Sequence, residues 1–228
     1  MSVREINRAI RQSLAGGATE ITLNNPSGQH NLGVAILEPV QLRIDGSVGY
    51  YCAGMIDRAK VEINGSAGWG LAESMLDGQV VVRGSAGNGA GAAIRGGTVV
   101  IEGDAAARAG VSMKGGTILI GGSCGYMSGF MGQKGYLIVC GDAGAAFGDS
   151  MYETVCFVGG ELADPGTDTV VESPTDDDLK FLQQSLEAHL PAKLNEPGFS
   201  VERYKKVVAG RKLWNFDKQD WKTWKSAL

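Results

Sequence analysis

The sequence predicts an all-β solenoid: a right-handed, single-stranded parallel β-helix with 19-residue coils, an N-terminal helix and a helical, aromatic C-terminal tail. Three observations predict it. Glycine recurs every nineteen residues at Gly46, Gly65, Gly84, Gly103, Gly122, Gly141 and Gly160, with no insertion. Two apolar columns keep the same period: Leu42, Val61, Val80, Val99, Ile118, Leu137 and Cys156, and two residues on, Ile44, Ile63, Val82, Ile101, Ile120, Val139 and Val158. Finally, 35 glycines stand against only 6 prolines, so the chain is neither collagen-like nor a Pro/Gly linker, and the fold itself must require glycine repeatedly.

Residues 1–26 read as a cap. Ser2 and Glu5 have capping-box spacing, and Val3, Ile6, Ala9, Ile10 and Leu14 form a helical stripe that stops at Gly16-Gly17. A short strand, Glu20 to Leu23, and the loop Asn25 to His30 then lead into the coils of 27–165. Within each coil, alternation across the two apolar columns marks a strand with one buried face, while the residues between them are mixed (Arg43, Glu62, Val81, Val100, Leu119, Ile138). Further glycine columns (Gly49, Gly68, Gly87; and Gly78, Gly97, Gly116, Gly135) mark corners, where a positive φ or a close backbone approach excludes a Cβ. Ile56, Met75, Ile94, Met113 and Met151 add one large apolar residue per coil, interrupted by Gly132. No coil can bury its apolar face alone; stacked coils can. Roughly four inward side chains per coil, at ~1.5–3 kcal/mol each, drive the stacking of about six coils. At ~4.8 Å per coil the prism is about 30 Å long. A left-handed helix of hexapeptides repeats near eighteen, in sixths, so nineteen with unequal sides favours the right-handed form.

After Gly160 the repeat ends in acidic, proline-containing sequence, and residues 166–228 read as a separate tail. Helices are expected from about Thr175 to His189 and from about Ser200 to Ala209. From Val201 onward eight Lys/Arg face three Asp/Glu, and Trp214, Phe216, Trp221 and Trp224 fall in this stretch. These four aromatics are candidates for docking a partner, or for a strap folded back on the helix.

The net charge of −4 gives no basic footprint for nucleic acid. No apolar run approaches the ~20 residues of a membrane span, and no signal-peptide core opens the chain. Cys52, Cys124, Cys140 and Cys156 contain no C-x-x-C pair, which points to reduced thiols and a cytoplasmic location. His30 and His189 have no matched partner by spacing; His30, in a glycine-rich loop, is expected to bond to backbone. Gly87-x-Gly89-x-x-Ala92 superficially resembles a dinucleotide fingerprint, but Gly96-Gly97 and a strand follow where that site needs a helix. The column Ser47, Ser66, Ser85, Asp104, Ser123, Asp142, Glu161 is expected to satisfy turn amides. No catalytic, cofactor-binding or metal-ligating residues are therefore expected in this chain.

Units such as Met113-x-Gly115-Gly116-x-Ile118-x-Ile120-x-Gly122 resemble the GXGXG domain at the C-terminus of glutamate synthase large subunits, over about residues 27–165. The resemblance implies a right-handed β-helix that catalyses nothing and braces an amidotransferase domain against an FMN-containing synthase domain. A short chain with its own N-terminal helix and a Leu213-Trp214-Asn215-Phe216 tail looks like the separate-subunit versions, in particular that of N-methylglutamate synthase. That implies a hetero-oligomer with an amidotransferase-like subunit and a further subunit with FMN and an iron–sulfur cluster. Ordinary split glutamate synthases, and formylmethanofuran dehydrogenase with its similar Met-x-Gly-Gly-x-Ile repeats, are alternatives. A free-standing β-helix binding protein is an alternative of a different class.

Overall fold

A computed structural model describes residues 1–210, so Trp214, Phe216, Trp221 and Trp224 lie outside the described residues. Helix α1 (Val3–Ala15) starts on the expected capping box: Ser2 accepts from the Glu5 amide while the Glu5 carboxylate takes the Ser2 amide at 2.7 Å. Its Ile6 and Ile10 are buried against the open end of the coil stack, with Val3 and Leu14 packed beside them.

Eight parallel strands follow: β1 (Glu20–Asn24), β2 (Gln41–Asp45), β3 (Lys60–Ile63), β4 (Gln79–Val82), β5 (Thr98–Ile101), β6 (Lys114–Ile120), β7 (Lys134–Val139) and β8 (Glu153–Val158). The two apolar columns are the register itself, Leu42 beside Val61, Val61 beside Val80, and so on to Leu137 beside Cys156. A second line of parallel bridges joins Val48, Ala67, Ala86, Ala105, Cys124, Ala143 and Leu162. Ile56, Met75, Ile94, Met113 and Met151 are fully buried in the interior between these lines. The fold is a parallel β-solenoid with 19-residue coils.

Strand β1 is more than a lead-in, because it forms the first rung of the stack. Ile21 pairs with Leu42 and Leu23 with Ile44, so both apolar columns extend one coil further. The step is 21 residues here, which throws the columns out of phase in the sequence.

The expected helix from Ser200 to Ala209 is replaced by a 3-10 turn at Val201–Arg203 and a strand, β10 (Lys205–Ala209). β10 runs antiparallel to both β8 and β9 (Thr169–Glu172), giving the sheet order β8-β10-β9 at this end. The reason is the open edge of β8, whose unpaired backbone groups need a partner. The Val207-Val208 pair suits a strand, with Val207 buried opposite Cys156. Helix α2 (Asp176–His189) forms where expected, with a capping box between Thr175 and Asp178.

Candidate interaction surface

The corner glycines divide into two kinds. Among the seven of the main column only Gly46 has a positive φ, 138°. The others are required by proximity: a Cβ on Gly65 would stand 2.6 Å from the Ser47 nitrogen, and one on Gly84 2.9 Å from the Gly65 carbonyl oxygen. Beside them runs a side-chain ladder. Ser66 donates its amide to Ser47 Oγ at 3.0 Å, Ser85 to Ser66 Oγ at 3.2 Å, and Asp104 to Ser85 Oγ at 3.1 Å. Ser123, Asp142 and Glu161 continue it, donating to Asp104 Oδ1, Ser123 Oγ and Asp142 Oδ1 at 2.8, 3.0 and 2.7 Å. The polar column therefore satisfies corner amides from one coil to the next, as read.

The column between the two apolar ones, mixed in the sequence, is segregated in space. On β5 to β8 its members Val100, Leu119, Ile138 and Phe157 are buried under α2, whose Leu182 and Leu186, with Leu190 and Tyr204, form a second core outside the solenoid. Lys206 and Asp178 clamp this layer with an ion pair at 2.8 Å, both side chains largely covered. On β1 to β3 the same face is open and polar, and Val81 of β4 packs at the margin of the second core. Arg83 binds Glu62 at 2.6 Å and also Glu102, and Asn64 donates to Asp45 at 2.6 Å. A shallow groove of about 440 Å³ lies over this half, lined among others by Arg43, Lys60, Glu62 and Arg83.

On another side of the first coils, His30, Tyr50 and Trp69 stack in a ladder with centroids 4.4 and 5.2 Å apart. His30 Nδ1 accepts the Tyr50 amide at 2.8 Å, the backbone bond expected of it. His189 ends α2 beside Gln79, at 3.3 Å, and burial lowers its pKa. The two histidines belong to different parts of the fold and form no joint constellation. Cys52 and Cys124 are buried thiols, pushed up by desolvation to about 12 and about 11. Cys140 is partly buried: Tyr204 packs beside it, and burial raises its pKa too. Among the described residues no group of three or more His, Cys, Asp or Glu side chains could hold a metal ion, and no helix is long and apolar enough to cross a membrane.

The surface thus belongs to a parallel β-solenoid whose outer sheet face is half covered by its own helix and half left polar. No protein-family profile matches the chain. A stretch of 61 residues is 43% identical to the protein GlxC of Rhizobium meliloti (strain 1021). The match spans 26% of this chain and 26% of that protein, about a quarter of each.

Proposed function

We propose that this chain is a non-catalytic scaffold subunit of a multi-subunit, glutamate-synthase-like enzyme, bracing an amidotransferase-like subunit and a further subunit that holds FMN and an iron–sulfur cluster. The observation that carries the reading is the unbroken nineteen-residue glycine column, whose corners stack so closely that a Cβ on Gly84 or Gly103 would stand about 3 Å or less from the carbonyl one coil away. This is the feature on which the likeness to the GXGXG domain rests, and the partial likeness to GlxC lies in the same direction. A regular stack of this kind presents long, fixed faces suited to holding two other bodies at a set distance. Trp214, Phe216, Trp221 and Trp224 supply a further docking contact in this reading.

Within that class the reading is N-methylglutamate synthase: methylamine and glutamate give N-methylglutamate and ammonia, with the chemistry on the partner subunits. The test is to purify the assembly through this chain and to supply either glutamate with methylamine, or glutamine with 2-oxoglutarate and a two-electron reductant. N-methylglutamate formation is the expected result. Turnover of glutamine and 2-oxoglutarate alone would instead identify an ordinary split glutamate synthase.

A further inference from the structure

Three exposed cations follow one another along one corner of the repeat. Lys114 and Lys134 are register partners on β6 and β7, and Lys114 donates its amide to the Ile94 carbonyl at 2.7 Å, beside Arg95 on the preceding coil. Arg95, Lys114 and Lys134 therefore form a line along one corner, rungs about 4.8 Å apart. All three are exposed, and among the described residues none has an ion-pair partner. Asp77, at one end, turns its Oδ1 back to the Gly78 amide at 2.7 Å. Glu153, at the other, is the register partner of Lys134 without forming an ion pair.

Like charges directly opposite one another destabilise a sheet. The fold has a ready alternative, since Glu62, Arg83 and Glu102 alternate in sign on successive coils and bind one another. Like charges on successive rungs, Arg95, Lys114 and Lys134, lower the stability of the free chain, and an anionic occupant relieves them. One coil before Arg95 in the same column stands Leu76, 44% exposed. The line of cations spans only about 10 Å, two spacings of 4.8 Å, and has a carboxylate at each end. A long polyanion would run onto those carboxylates.

We propose that the Leu76–Arg95–Lys114–Lys134 corner docks a short, extended, acidic segment of a partner protein, its carboxylates facing the three cations and an apolar side chain covering Leu76. This rests on the chain having a protein partner, as proposed above, and adds where and with what chemistry one contact is made.

The test is zero-length carbodiimide coupling of the assembly purified through the full chain, which joins a lysine amine to a carboxylate as an amide with net loss of water. Lys114 and Lys134 are expected to couple to one Asp/Glu-containing peptide of another polypeptide. A Lys114→Gln/Lys134→Gln double variant should bind its partner roughly threefold more weakly per charge removed and dissociate at lower salt. The free variant should melt no lower than the parent chain, because repulsion is relieved. A partnered chain whose two lysines stay uncoupled, or whose double variant keeps its salt tolerance, overturns this inference and leaves the scaffold reading standing. Coupling only to a second copy of this chain, or release of the bound material by nuclease, overturns it as well. A chain that purifies alone overturns both.

Discussion

At Gly84 and at Arg108 the backbone makes opposite demands. Gly84 has an ordinary φ, and its want of a side chain is a matter of space, since the preceding coil's Gly65 carbonyl and Ser66 hydroxyl crowd the place a Cβ would take. Gly84→Val should therefore cost more than about 2 kcal/mol and lower the melting temperature by many degrees; an unchanged melting temperature would contradict the close-approach reading. Arg108 is exposed and holds φ 62°, the left-handed region, where Gly70 and Gly89 stand at the equivalent place two and one coils earlier. The strain of about 1–2 kcal/mol exceeds the entropy glycine loses on folding, about 0.5–1 kcal/mol, so Arg108→Gly should stabilise the chain modestly, a rise visible in thermal denaturation. The glycine columns were plain in the sequence because the period never slips between Gly46 and Gly160. Which of the two causes acts at which glycine was not, and neither were the many non-glycine residues at positive φ. Tyr51, Ala53 and Met55 all adopt it in one coil, and Ala72 and Ser74 repeat it in the next, held by hydrogen bonds to the coils on either side.

Helix α2 and strand β10 are elements whose existence depends on what they cover. α2 was legible from its apolar residues Leu179, Phe181, Leu182 and Leu186, whereas β10 read as helix because a five-residue apolar-and-lysine run carries no period of its own and is decided by the free edge of β8. The outer face of the sheet was likewise unreadable as a mixed column until α2 was seen to cover its apolar half. Leu186→Ala should expose that second core and cost about 2–5 kcal/mol, measured by chemical denaturation. A loss within error would mean α2 is a loose appendage. Burial alone would raise the Asp178 carboxyl, but hydrogen bonds from Lys206 and Thr175 outweigh it and hold the pKa below the ordinary value. A depressed carboxylate contributes stability that is present above the ordinary carboxylate range and is lost as pH falls through its own lowered pKa. Protection of the α2 amides against hydrogen exchange should accordingly fall in strong acid, with Lys206 still charged. Asp178→Asn should remove most of that dependence, and an identical acid response in the variant would assign it to another group.

Over the whole molecule, α1 closes one end of the solenoid and the β10-β9 pair extends the other, while α2 straps half of one face. The rest of the surface is a row of columns, some internally paired, one carrying three successive cations and one of stacked aromatics. That much of the candidate site could be placed only after the coils were stacked, because residues nineteen apart become neighbours only then. The tail aromatics, in contrast, were singled out by composition. Truncation after Gly210 is expected to leave a folded solenoid that no longer holds its partners, with circular dichroism retained and co-purification lost. The account as a whole turns on the composition of the native assembly. The measurement is the polypeptide make-up and visible absorbance of what purifies through the full-length chain: amidotransferase-like and flavin-bearing iron–sulfur subunits are the predicted result, and a colourless chain on its own would contradict the scaffold account.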